Sequence, residues 1–289
     1  MLDKKFLRRK VLRLGQTVTH GTSRVTSSRR IAPNVLLVGA QRAGTTSLYK
    51  TLVQHPAIIG GILVKEVHYF DVNYSKGMPW YRSRFPMVRT ALRKAGKSGC
   101  SPQVVDATPY YMFHPLAPGR IAHDLPGARV LVLLRDPVER AYSAHAHEIA
   151  LGYESEPFEH ALELEPQRLQ GEEERMLADA SYNSYSHQHH AYVARGEYLT
   201  QLERLEDLVG RDSMHVVESD DLFLDAEPAV KGILDFLNVP FAPEMVFRQH
   251  NDRPRSTMPA EIRSALTRHY EPHDLALAKW LGHTPSWRR

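Results

Sequence analysis

Two short segments each gather a cation and a hydroxyl, the first with a glycine as well, in the order that anion binding needs. Gly39-Ala-Gln-Arg42-Ala43-Gly44-Thr45-Thr46-Ser47 follows an apolar run, Val35-Leu-Leu-Val38, and precedes a helical pattern of Leu48, Leu52 and Val53. Such a loop turns successive backbone N–H groups and a helix N-terminus toward an anion, and Gly44 permits close approach. The nucleotide-hydrolysing version requires Gly-x-x-x-x-Gly-Lys-Ser/Thr, with the lysine on the outer phosphates and the hydroxyl on magnesium. Here Thr45 stands at the lysine position, and the cation lies earlier, at Arg42. The loop geometry is kept while the hydrolysis chemistry is lost. The second segment, Arg135-Asp-Pro-Val-Glu-Arg-Ala-Tyr-Ser143, leaves the apolar run Val130–Leu134 directly. Arg135 at the carboxyl end of that strand, with Ser143 two helical turns on, can hold a phosphate through a charge-assisted fork and a hydroxyl. Ligands of open parallel sheets collect at those strand ends. Together the segments suit a nucleotide that is anionic at both its 5′ and 3′ positions.

The elements that must position these residues read as an α/β fold. Val35–Val38 opens a parallel sheet, Val104-Val105 and Met214–Val217 add short strands, and Val130–Leu134, apolar throughout, is a strand buried on both faces. A helix is predicted from Pro137, where the missing N–H costs nothing in the first turn. Further helices are predicted over Tyr192–Leu208, Pro228–Leu237 and Pro259–Leu281, whereas His250–Met258, rich in arginine and proline, is irregular. Residues 157–180 read as an acidic, helical, peripheral insertion with few anchors. No internal repeat is present.

The 289 residues, 42% of them hydrophobic, suffice for one sizeable core. The net charge of +4 hides an asymmetry, because residues 1–30 hold nine basic side chains against Asp3, leaving the remainder near −4. The basic charge therefore belongs to an N-terminal arm and not to a nucleic-acid-binding surface. Phe6, Leu7, Val11 and Leu14 fall on one helical face of that arm, which allows weak contact with an anionic membrane surface. Basic residues interrupt every apolar run before a signal peptide can form, and no run is long enough to span a bilayer, so a cytoplasmic location is expected. Cys100 is the single cysteine and excludes an internal disulfide framework.

In the order and spacing of its motifs the chain resembles the sulfotransferases that use 3′-phosphoadenosine 5′-phosphosulfate (PAPS), particularly the heparan sulfate type and its bacterial relatives. Gly39–Ser47 is similar to that family's 5′-phosphosulfate loop and Leu133–Ser143 to its 3′-phosphate motif. Between them, Lys65-Glu66-Val67-His68-Tyr69-Phe70-Asp71 matches the family's Glu-Val-His-Phe-Phe-Asp strip, followed by Asn73-Tyr-Ser-Lys-Gly-Met-Pro-Trp-Tyr81. Tyr270-Glu-Pro through Gly282 and Trp287 is similar to its closing helix. The resemblance covers residues 31–289 and implies one sulfotransferase domain, a central parallel sheet flanked by helices with a P-loop-like phosphosulfate loop.

It also implies roles. Glu66 is the general base toward an acceptor hydroxyl or amine on a glycan, glycolipid or other glycosylated or small natural product. Burial beside Tyr69 and Phe70 is expected to raise its pKa toward neutrality. His68 orients Glu66 or meets the acceptor. Arg42 binds the phosphosulfate and stabilises charge on the leaving phosphate, Ala43, Gly44, Thr45, Thr46 and Ser47 add donors, and Arg253 and Arg255 fall where the family closes over the 3′-phosphate. No metal is expected, since Arg42 and the helix terminus supply the positive charge. Two positions depart from the pattern. Many relatives carry lysine at Arg42, and the heparan type carries lysine at Ala107, which argues against a sulfated-polysaccharide acceptor. His145 and His147 do not share a helical face, and His187 and His190 lack a further ligand at useful spacing, so these read as cleft or surface residues. A P-loop kinase or NTPase, and a non-catalytic nucleotide- or polyanion-binding protein, are the competing readings.

Overall fold

The computed structural model describes residues 25–62, 64–250 and 256–289. Five strands form one parallel sheet: β1 (Val35–Gly39), β2 (Ile58–Gly60), β3 (Gln103–Asp106), β4 (Arg129–Leu134) and β5 (Met214–Glu218), in the spatial order β2-β3-β1-β4-β5. All five residues of β1 are buried, as are all of β4 after Arg129, which explains why both read as unbroken apolar runs. β2 escapes pattern reading because it is three residues long; its place is set by pairing with β3.

Among the described residues the α-helices are α1 (Thr45–Leu52), α2 (Gly77–Arg82), α3 (Val88–Ala95), α4 (Ala117–Asp124), α5 (Pro137–Leu151), α6 (Phe158–Leu169), α7 (Glu172–Ala178), α8 (Tyr185–His189), α9 (Tyr198–Val209), α10 (Ser219–Leu224), α11 (Ala226–Phe236) and α12 (Ala260–Leu281). Local chemistry sets the ends of α5. Asp136 caps its start by accepting the Val138 N–H at 2.9 Å, Pro137 occupies the first turn, and Gly152 ends it in a left-handed conformation at φ 78°. No described helix is long and apolar enough to cross a membrane.

The expected Tyr192–Leu208 helix is instead a 3-10 turn, Ala194–Gly196, followed by α9. Glu165 takes the N–H groups of Val193 and Ala194 at 2.7–2.9 Å, and Gly196 packs against Tyr270 and Pro137 too closely for a Cβ. The acidic insertion is also better anchored than its sequence suggests. Phe158 and Ala161 join Val138, Ala141, Tyr142, Tyr192 and Tyr270 in a second apolar cluster, and Met176 is fully buried. Most of the basic arm lies outside the described residues. Its last residue, Arg30, donates to the Phe85 carbonyl at 2.7 Å and pairs with Met87.

Candidate active site

β1 and β4 are neighbours, yet the chain leaves β1 for β2 and β3 on one side and continues from β4 to β5 on the other. This reversal opens a crevice at their carboxyl ends. The two segments singled out in the sequence meet there. Arg42 Nε donates to Ser143 Oγ at 3.1 Å, and Arg135 Nη1 donates to the Arg42 carbonyl at 3.0 Å. Arg42 sits at φ 68°, a left-handed conformation that is costly for a side-chain-bearing residue and that clusters at functional sites. Gly44, at φ 96°, is required for two reasons: the conformation, and a Cβ there would stand 2.9 Å from the Phe223 ring.

Opposite the loop lies the Lys65–Asp71 strip. Lys65 Nζ donates to Thr45 Oγ1 at 3.2 Å, to Thr46 Oγ1 at 3.1 Å and to Glu66 Oε1 at 3.1 Å. The lysine absent from the loop is thus supplied from another segment. Burial pushes the Lys65 ammonium below its ordinary pKa, and Glu66 offsets part of that. His68, at φ 53°, bridges two carboxylates: Nδ1 lies 2.6 Å from Asp71 Oδ2 and Nε2 3.5 Å from Glu66 Oε2. Burial acts to lower the His68 pKa, but hydrogen bonding to Asp71 and Glu66 overrides it and carries the ring to about 10.

The expected rise in the Glu66 pKa is not found. Burial acts in that direction, but the hydrogen bond from His68 and the charge of Lys65 outweigh it and hold the carboxyl down, at about 2. The physical reason is orientation: Tyr69 and Phe70 turn into the core, while 42% of the Glu66 side chain stays open to the cleft, beside two cations. Solvent reaching that open surface screens both partners.

The strip is held from below. Thr108 Oγ1 accepts the Val67 N–H at 3.1 Å and donates to Asp106 Oδ1 at 2.7 Å. Asp106, at the end of β3, also accepts the hydroxyls of Tyr81 and Tyr111 at 3.0 and 2.9 Å. Burial raises the Asp106 carboxyl to about 6 even against these three donors.

Arg42, Thr45, Thr46, Glu66, His68, Arg135 and Ser143 line one cleft of about 410 Å³. Ala43 and Ser47 do not. Ala43 is fully buried with its carbonyl taken by Ser219 Oγ, and Ser47 is buried with its hydroxyl accepting the His250 N–H at 2.8 Å. Arg253 and Arg255 lie outside the described residues. The far wall holds residues that motif reading missed. Glu148 is buried between Gln41 and His189, whose Nδ1 is 3.0 Å from Glu148 Oε2. Arg195 stacks over Tyr110 and Phe113 and donates to Gln41 and to the His187 carbonyl, and burial lowers its pKa to about 10. None of these has a sequence signal. Each reaches the cleft through packing of distant segments. Of the four histidines considered in the sequence, His147 lines the cleft, His145 Nε2 donates to the Glu156 carbonyl at 2.7 Å, and His187 and His190 are buried.

A family model described as a sulfotransferase domain matches residues 32–258. A bifunctional heparan sulfate N-deacetylase/N-sulfotransferase 2 of Bos taurus is 27% identical over 289 residues, covering 89% of this chain and 31% of that protein. A heparan sulfate glucosamine 3-O-sulfotransferase 5 of Mus musculus is 25% identical over 221 residues, covering 72% of this chain and 54% of its own length. The chain spans about a third of the length of the N-deacetylase/N-sulfotransferase relatives it matches. The crystal structure of a sulfotransferase from Alicyclobacillus acidocaldarius superposes with a TM-score of 0.66 at 27% identity, covering 90% of this chain and 100% of that one.

Proposed function

Because the chain belongs to the sulfotransferase domain family, we propose that it moves a sulfuryl group from PAPS to an acceptor hydroxyl or amine, with Glu66 taking the acceptor proton. The observation that carries this reading is Lys65, which lies within hydrogen-bond distance of both loop threonines and of Glu66 at once. A donor anion on the loop and an acceptor at the carboxylate would therefore meet across one side chain. The residues fit a bisphosphorylated nucleotide: Thr45 and Thr46 with Lys65 form one cationic and hydroxyl-rich end, Arg135 with Ser143 forms another, and Arg42 leaves the first loop to reach Ser143 in the second.

When bound, the donor supplies the sulfuryl group: a bond forms from the acceptor atom to sulfur, the bond from sulfur to the bridging phosphate oxygen breaks, and adenosine 3′,5′-bisphosphate leaves. Glu66 receives the acceptor proton, and His68, held by Asp71, fixes the carboxylate's direction. Arg42 and Lys65 stabilise the charge that grows on the leaving phosphate. A carboxylate held at about 2 is a weak base. An anion on the loop competes with Glu66 for Lys65, which raises the carboxyl pKa only once the donor is in place.

The acceptor end argues for an uncharged partner. Among the described residues the cleft wall beyond Lys65 carries no lysine, and its arginines are Arg42 and Arg135 in the two loops and the buried Arg195 behind Gln41. Glu148 adds negative charge, and Tyr153 with His189, ring centroids 4.2 Å apart and planes tilted by 38°, adds aromatic surface. An uncharged glycoside or small aromatic alcohol suits this wall better than a polyanionic polysaccharide, in keeping with Ala107.

Labelled PAPS offered with uncharged glycosides, phenols and sulfated oligosaccharides tests the reading, with Glu66→Gln as the decisive variant. Turnover is expected to fall by about 10²–10⁴-fold, with affinity for adenosine 3′,5′-bisphosphate unchanged. Arg42→Ala is expected to weaken nucleotide binding as well. Near-normal turnover by Glu66→Gln would remove Glu66 as the base.

A further inference from the structure

Apart from the residues that line the cleft, the closing helix brings two histidines to one carboxylate. His269 and His273 are four residues apart on α12 and so share a face. Their Nε2 atoms lie 3.1 and 3.7 Å from the same oxygen, Glu197 Oε1. The rings sit side by side at 5.3 Å between centroids and 30° between planes. One ligand atom from each of the three residues lies within 4.8 Å of the other two. A tetrahedral ion with bonds of about 2.0–2.1 Å has ligand–ligand edges of about 3.3–3.4 Å, and the two measured nitrogen–oxygen separations bracket that edge.

We infer that Glu197, His269 and His273 form a binding site for a divalent transition cation of the zinc class, with an open fourth position for water. Two imidazoles and one carboxylate select zinc, cobalt, nickel or copper over magnesium or calcium, which prefer oxygen ligands throughout. All three side chains are partly open to solvent, so the ion has an entry path. The backbone beneath is already fixed: Gln201 Nε2 donates to the Glu197 carbonyl at 3.0 Å, and Tyr270, next to His269, donates to the Val193 carbonyl at 2.9 Å. The bound ion pins α12 to the start of α9. Tyr198, the residue after Glu197, donates to the Arg135 carbonyl at 2.8 Å, so the clamp braces the cleft from behind without entering it.

The test uses the whole chain, stripped with chelator and dialysed. Zn²⁺ is titrated by calorimetry, Co²⁺ by its visible absorption, and Mg²⁺ serves as the control cation. One Zn²⁺ per chain is expected at this site, with a thermal midpoint higher by about 5 °C at a hundredfold excess over Kd. His269→Ala, His273→Ala and Glu197→Gln should each weaken Zn²⁺ by at least about tenfold, the loss typical even of outer ligand partners. Each variant's own metal-free melt is its baseline, so lost folding cannot imitate lost binding. No Zn²⁺ uptake up to 100-fold molar excess, or uptake unchanged in both histidine variants, would overturn the site. Neither outcome bears on sulfuryl transfer, which uses other residues.

Discussion

Lys65 and Glu66 are neighbours in sequence and in contact, yet Lys65 reaches back to the loop threonines while 42% of the Glu66 side chain stays open to solvent. His68→Asn removes one of the two groups that hold the Glu66 carboxyl low. Losing it raises the carboxyl pKa, so the acid limb of the kcat/KM profile should move to higher pH, while nucleotide affinity stays constant. A limb that does not move would separate His68 from Glu66. Lys65→Met should shift the limb in the same direction and also weaken adenosine 3′,5′-bisphosphate by about tenfold, as expected for a lost charged hydrogen bond. The sign for stability runs the other way for the histidine. Its folded pKa is raised, so its contribution is complete below pH 6.5 and is lost as pH rises through about 10. Melts of wild type should therefore fall more steeply above neutrality than those of His68→Asn.

At the scale of elements, the strip carrying Glu66 has no strand or helix of its own and depends on β3. Asp106 ends that strand, and Thr108 passes its hydrogen bonding on to the Val67 and His68 N–H groups at 3.1 and 3.4 Å. Thr108→Val keeps the shape and removes the relay. It should cost about 1–3 kcal/mol, because two donors and an acceptor lose a buried partner. Turnover should fall while donor affinity is kept, measured by denaturant unfolding beside steady-state kinetics. Equal losses of kcat and nucleotide affinity would instead point to a general loosening of the sheet edge.

Across the whole molecule, the cleft is a junction between two halves of the sheet. Loops from β1 and β4 are cross-linked by the Arg42–Ser143 and Arg135–Arg42 hydrogen bonds, and a nucleotide with a 3′-phosphate would engage both. At a hundredfold excess over its Kd, adenosine 3′,5′-bisphosphate should stabilise the fold by about 2.7 kcal/mol, read as a rise in thermal midpoint. AMP at the same concentration should give a much smaller rise, and Arg135→Ala should abolish the difference. An equal rise with AMP would exclude a 3′-phosphate site at Arg135.

How much of this is legible in the chain depends on the range of the interaction. Val35–Val38, Val130–Leu134 and the Asp136-Pro137 helix start are decided by neighbours in sequence, through burial on both faces and local capping, so composition alone locates them. The loop glycine, Arg42 and Arg135 follow for the same reason, since strand, turn and helix are contiguous. Ser47 and Ala43 belong to that motif in sequence but face inward, where the Ser47 hydroxyl accepts the His250 N–H and the Ala43 carbonyl takes the Ser219 hydroxyl. Lys65 as the loop's second cation, the depressed Glu66 carboxyl, the buried Glu148 and Arg195, and the meeting of His269 and His273 with Glu197 rest on contacts between distant segments. The distances, and the shifted pKa values of Lys65, Glu66 and Arg195, come from desolvation and from partners that only the folded chain brings within a few ångströms.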